Sequence, residues 1–155
     1  MALNPSRPDI AGARGAALLD EGHPDQAVPF LETFLREQRD SRLPAALLSV
    51  AYAELGRGDE AARMAGPAGG SGECNERCNI LFGRSMTLLG RFRDAQGFFR
   101  EAARLAPNDP EALTRLAISL IPTGSSAEAA RMLEAVLAAN PGYEPAVHAI
   151  AKLRE

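Results

Sequence analysis

Residues 82–107 read FGRSMTLLGRFRDAQGFFREAARLAP. A helical run carrying Phe82 and Met86 leads into Gly90. A glycine there ends a helix in the left-handed conformation without a Cβ penalty. After a short turn, a second helical run begins near Ala95 and carries Phe99 and Ala102 towards Pro107. The small side chain of Ala95 suits a close crossing of the two helices, because a larger one would push the backbones apart. The stretch is a helical hairpin, and alone it cannot bury its apolar face.

Outward from it, the same signals return at a fixed interval. Gly22, Gly56, Gly90 and Gly124 each stand 34 residues after the last. Five residues beyond them lie Ala27, Ala61, Ala95 and Ala129, and four residues ahead lie Leu18, Tyr52, Met86 and Leu120. Four residues past each alanine come Leu31, Ala65, Phe99 and Leu133. No insertion or deletion interrupts this register. Helices are expected over about 8–21, 24–38, 42–55, 58–65, 74–89, 92–105, 109–121 and 125–139. A last one near 144–154 carries Val147, Ile150, Ala151 and Leu153, with Lys152, Arg154 and Glu155 supplying the polar face of a terminal cap.

These residues resemble the tetratricopeptide repeat, with its 34-residue period and its Leu-Gly-x-x-Tyr, Ala-x-x-x-Phe and Pro pattern. The third copy matches through Phe82-Gly83, Met86, Gly90, Phe92, Ala95, Phe99, Ala102 and Pro107. The fourth has Leu113, Leu116-Ala117, Leu120, Gly124, Ala129, Leu133 and Pro141, and the second has Leu48, Tyr52, Gly56 and Ala61. The first keeps Gly15, Leu18, Gly22 and Ala27, but puts Arg14 where the pattern has Leu and Arg39 where it has Pro. The resemblance covers about residues 8–143. It implies one all-α domain, a right-handed superhelical solenoid of four hairpins (8–41, 42–75, 76–109 and 110–143) plus a capping helix over 144–155.

Composition is consistent with that class. The 155 residues are 46% hydrophobic and 24% charged, which describes a folded domain. Alanine occurs 29 times and leucine 19 times, while Trp is absent and Tyr occurs twice, a helix-forming balance. A net charge of −3 argues against nucleic acid, whose binding rests on neutralising phosphates. No apolar window approaches a membrane span. From Met1 to Ala11 the chain has Pro5, Pro8 and Asp9 where an export signal needs an apolar run, so a cytoplasmic location is expected.

The second copy breaks the pattern at Gly66-Pro67-Ala68-Gly69-Gly70-Ser71-Gly72. Pro67 removes a helical donor and the glycines forfeit helix propensity. The register survives, so the second helix of this copy has lost its last turns. The segment reads as a relaxed loop, with a hinge or a notch for a partner as the sharper alternatives. Glu73-Cys74-Asn75 follows Gly72 where a phosphate-binding loop needs Lys and Ser or Thr, so no nucleotide cofactor is expected.

Cys74 and Cys78 stand four residues apart and read as structural thiols, with a redox disulfide or a metal pair as alternatives. A metal site needs further ligands, and the only histidines, His23 and His148, fall far along the solenoid; no metal is expected. No nucleophile pairs with a histidine at a workable spacing, so no catalytic residue and no enzyme is expected.

In the family resembled, first helices line a concave groove, and partners touch the second, fifth, ninth and twelfth positions of each repeat. Carried over, these are Asp9, Gly12, Ala16 and Leu19, then Leu43, Ala46, Val50 and Ala53. The third copy gives Arg77, Ile80, Arg84 and Thr87, and the fourth Glu111, Thr114, Ile118 and Ile121. The candidate groove is Leu19, Leu43, Ala46, Val50, Arg77, Ile80, Arg84, Thr87, Thr114 and Ile118. Members that clamp a carboxylate use Lys and Asn at the fifth and ninth positions; Gly12 with Ala16 and Ala46 with Val50 depart from that.

The resemblance thus implies a non-enzymatic module binding a peptide or partner protein, as a chaperone or assembly adaptor. The expected ligand is an amphipathic or extended apolar segment with an acidic residue for Arg77 or Arg84. The alternative is a homo-oligomeric unit that assembles through its terminal repeats.

Overall fold

Each 34-residue period folds as two helices joined by a turn that its glycine makes possible. The computed structural model describes residues 8–70 and 72–155. Its helices run in the order α1 (Pro8–Asp20), α2 (Pro24–Glu37), α3 (Leu43–Glu54), α4 (Gly58–Ala65) and α5 (Glu76–Leu88). Then follow α6 (Phe92–Leu105), α7 (Pro110–Leu120), α8 (Ser126–Ala139) and α9 (Glu144–Leu153). Among the described residues there is no β-strand, only one bridge pairing Ser41 with Glu73. The start of the chain that argued against an export signal lies, as far as residue 7, outside the described residues.

The periodic glycines do the same work four times. Gly22, Gly56, Gly90 and Gly124 have φ of 79°, 73°, 72° and 88°, where a side chain would be strained. In each turn the residue after the glycine donates its N–H to the carbonyl of the large apolar residue that stands four positions before the glycine. His23 reaches Leu18, Arg57 reaches Tyr52 and Arg91 reaches Met86, each at 2.8 Å, and Ser125 reaches Leu120 at 3.0 Å. This bond satisfies carbonyls that a helix end would leave unpaired and sets the direction in which the chain leaves.

The crossing alanines, Ala27, Ala61, Ala95 and Ala129, have no exposed surface. Close crossing extends to Gly83, where a Cβ would lie 2.6 Å from a ring carbon of Phe99. The second helices of the pairs start without side-chain caps: His23, Arg57, Arg91 and Ser125 hold the N-cap position. Asp25, Asp59 and Asp94 sit in the first turn instead, where they favour the helix dipole. Side-chain caps belong to α5 and α7, through Asn75 to the Cys78 amide and Asp109 to the Ala112 amide, both at 3.0 Å.

Burial follows the chain. One apolar cluster joins residues of α1 to α5, and another joins α7, α8 and α9. Met86, Ala95, Phe99 and Leu116 bridge them. Where α3 meets α5, the hydroxyls of Ser49 and Ser85 lie 2.6 Å apart in the interior, with the Ala61 carbonyl 2.9 Å from Ser49 Oγ and the Ser49 carbonyl 3.0 Å from Ser85 Oγ as backbone acceptors. Paired in this way, buried hydroxyls cost little.

The second period is different. Helix α4 has 8 residues, whereas α2, α6 and α8 have 14 each. After α4 comes a single 3₁₀ turn, Pro67–Gly69. Arg42 closes the shortened helix: its Nη2 donates to the Ala65 carbonyl at 2.6 Å, while its guanidinium lies 5.1 Å from the Phe82 ring centre. Gly69 is buried, and a Cβ there would collide with the Met64 carbonyl and come within 2.8 Å of the Ala45 Cβ. At Gly72 a Cβ would collide with the Asp40 carbonyl and sit 2.7 Å from the Ser41 nitrogen. These described parts of the segment are thus fastened along the start of α3 and are not a relaxed loop; Ser71 lies outside the described residues.

Two measurements probe this architecture. Gly72→Ala is expected to lower stability by about 1–3 kcal/mol in urea unfolding, the range for overpacking. The second concerns Tyr52, which is buried, donates to Glu32 at 3.1 Å and lies under Arg57. Burial first, then the Glu32 carboxylate, pushes its phenol from 10.0 to about 12. The unfolded chain gives up this proton first, so stability falls as pH rises from 10 towards 12. Tyr52→Phe removes that part of the decline, as read by urea midpoints at successive pH values.

Candidate interaction groove

Helices α5 and α7 are the first members of their hairpins, and side chains spaced by three or four residues on each share a face. That spacing brings Arg84 and Thr87 of α5 beside Ile118 of α7 in a cleft of about 230 Å³. Glu54, Leu88, Phe92, Phe99, Arg115, Ser119 and Pro122 complete its walls, so one carboxylate, Glu54, shares the cleft with Arg84. Leu88 is 54% exposed and Ile118 is 39% exposed, so this face presents large apolar side chains to solvent.

Next to it, Arg77 and Ile80 join Arg84 around a smaller depression bordered by Glu76 and Glu111. The acidic side of this depression is internally engaged. Glu111 accepts from Arg115 at 2.9 Å. Glu76 hydrogen-bonds to Asp109, and that contact, followed by burial, holds the Glu76 carboxyl above its ordinary range. By contrast, Arg77 and Arg84 make no ion pair or hydrogen bond with the described chain. Two cations without partners therefore flank an exposed apolar strip.

The remaining expected residues are more deeply set, Ile80 forming the nearly buried base of the depression. Ala46, Val50 and Thr114 are at most 1% exposed, so they sit within the helix packing. Leu19 and Leu43 are half-buried against the apolar cluster of the first hairpins, away from the cleft. Of the expected residues, Arg84, Thr87 and Ile118 line this cleft. Leu88, Phe92, Arg115 and Pro122 are not among the expected positions: Leu88 and Phe92 lie at helix ends, Arg115 in the middle of α7 and Pro122 in a turn. An unneeded leucine two residues ahead of Gly90 was the available signal for Leu88.

Among the described residues, no group of three or more His, Cys, Asp or Glu is placed to hold a metal. No helix there is long and apolar enough to cross a membrane. The cysteines correct the reading as structural thiols: Cys74 and Cys78 form a disulfide with Cα atoms 5.2 Å apart. The Asn75 cap accounts for it. By accepting from the Cys78 amide at 3.0 Å, Asn75 turns the preceding residue back over the first turn of α5, within bridging range.

Two sequence profiles described as tetratricopeptide repeat match the chain, one over residues 87–153 and the other over residues 8–33 and 43–67. The chain belongs to the tetratricopeptide repeat family, whose members are in general protein-interaction modules. No curated protein matches it by sequence. Among solved structures it is similar to PilF of Pseudomonas aeruginosa, at 22% identity and a TM-score of 0.79, over 94% of this chain and 67% of that one. It is similar to MamA at 16% identity and a TM-score of 0.69, over 90% and 81% of the two chains. It is also similar to YrrB, described as a TPR protein with an unusual peptide-binding site, at 20% identity and a TM-score of 0.65, over 97% and 77%. These likenesses establish the solenoid.

The disulfide closes a loop of five residues, which the chain-entropy relation values at about 2 kcal/mol. Reduction with a phosphine, or the Cys74→Ser/Cys78→Ser double variant, is expected to lower the urea-derived stability by about that amount.

Proposed function

We propose that the protein is a non-catalytic adaptor that holds an apolar peptide segment of a partner in the cleft between α5 and α7. The observation that carries this reading is the pair of unpartnered cations, Arg77 and Arg84, beside the exposed Leu88 and Ile118. A ligand seats an apolar side chain against Leu88, Phe92 and Ile118, and turns a carboxylate towards Arg84 or Arg77. Charge-assisted hydrogen bonds of this sort are about twice as strong as neutral ones and set orientation as well as affinity. A chaperone or assembly role is the form of the function that this surface suits, since it shields an apolar segment without altering it.

A cytoplasmic site of action carries a chemical consequence. Reducing conditions there hold Cys74 and Cys78 as thiols, so the disulfide form belongs to an oxidising setting. A second reading, self-assembly through the end of the solenoid, is favoured by Val147 on α9, which is 41% exposed.

Affinity capture from the native lysate tests the first reading. The Arg77→Glu/Arg84→Glu variant is expected to retain about one-tenth or less of the captured partner at low salt. Unchanged capture overturns the groove. For the second reading, a monomer mass that stays constant in light scattering across the micromolar range rules out self-assembly.

A further inference from the structure

Opposite in character to the cleft between α5 and α7 is the gap that the shortened α4 leaves beside α6. Relative to α2, α6 and α8, α4 lacks six residues, about 9 Å of helix. The chain beyond it turns away to the start of α3, held there by Arg42 and by the close contacts of Gly69 and Gly72. What remains is an open cavity of about 610 Å³ between α4, α5 and α6.

Its lining is suited to a polypeptide. Ala62, Ala65, Met86 and Phe98 give it apolar walls. On α6, a Cβ added to Gly97 would meet nothing within 4 Å, so the wall is hollow there. Asn79, only 4% exposed, also lines the cavity. Its amide nitrogen donates to the Cys74 and Asn75 carbonyls at 2.9 and 3.1 Å, while its Oδ1 has no hydrogen-bond partner within the described chain. The charges along the rim are unequal. Arg91 is paired with Asp94 at 2.7 Å and Glu101 with Arg104 at 2.9 Å, but Arg93 has no ion-pair partner in the described chain.

We infer that this notch is a docking site for a short helical segment of a separate protein, carrying a small apolar face and one carboxylate. The occupant is helical because no strand edge borders the notch to pair with an extended backbone, and a helix satisfies its own backbone groups. Its carboxylate answers Arg93, and a hydroxyl or amide on the same face answers Asn79. The site is independent of the groove between α5 and α7, and either can exist without the other.

A phage-displayed library of 14-residue helix-forming peptides, selected on the full chain, supplies the probe. Gly97→Leu fills the hollow and replaces a helix-interior glycine by a strong helix former, so the fold is retained, which a thermal melt verifies. Selected peptides are expected to carry Asp or Glu. They should bind Gly97→Leu and Arg93→Glu about tenfold more weakly than the unaltered chain, and Arg84→Glu equally well. Selection that yields no peptide sensitive to Gly97→Leu overturns the proposal. So does a set weakened by Arg84→Glu alone, which would assign all binding to the groove. A dimer in sedimentation that Gly97→Leu converts to monomer overturns it as well, by putting a second copy of this chain in the notch.

Discussion

The hydrogen bond that crosses each hairpin turn is the constraint on which the solenoid rests. It runs from the amide after the glycine to the carbonyl of the large apolar residue before it, and it recurs at four turns with almost one length. The bond requires positive φ at the glycine, so glycine is required there. Because its acceptor residue is also a core side chain, closing the turn and placing the core are one event. Leu18, Tyr52, Met86 and Leu120 are buried at the same places where their carbonyls are capped. Repetition of that geometry stacks the hairpins in register and turns every first helix towards a common face.

That coupling is why the fold was legible in the residues alone. Glycine, alanine and a large apolar residue at fixed offsets each mark a geometric need that few other side chains meet. Helix boundaries fell close to those expected, since Gly90 and Pro110 mark the ends of helices directly. What escaped the reading depends on contacts between distant residues. Arg42 reaches the end of α4 across more than twenty positions, and no local pattern announces it. The disulfide depended on the Asn75 cap, so spacing alone could not choose between thiols and a bridge. For the candidate groove, repeat positions carry no information about depth: Val50 and Thr114 are buried, whereas Leu88 is exposed.

The second period shows how a repeat protein departs from its pattern without losing register. Removing turns from α4 leaves carbonyls exposed, and one guanidinium takes them while stacking on Phe82. Glycines then let the chain pass close to Asp40 and Ala45, where any side chain would collide. The bridge between Ser41 and Glu73 and the disulfide beyond it return the chain to the head of α5. The glycine-rich sequence therefore serves tight passage and not looseness. Seen this way, the shortened helix is a built departure, with fastening on both sides of it.

The way burial is distributed along the chain has its own bearing on durability. The apolar cluster of α7, α8 and α9 shares no buried residue with that of the first five helices. α9 is backed chiefly by α8, with a lesser contact to α7. Disturbance of α9 is therefore passed on neighbour by neighbour, reaching α8 and α7 before anything nearer α1.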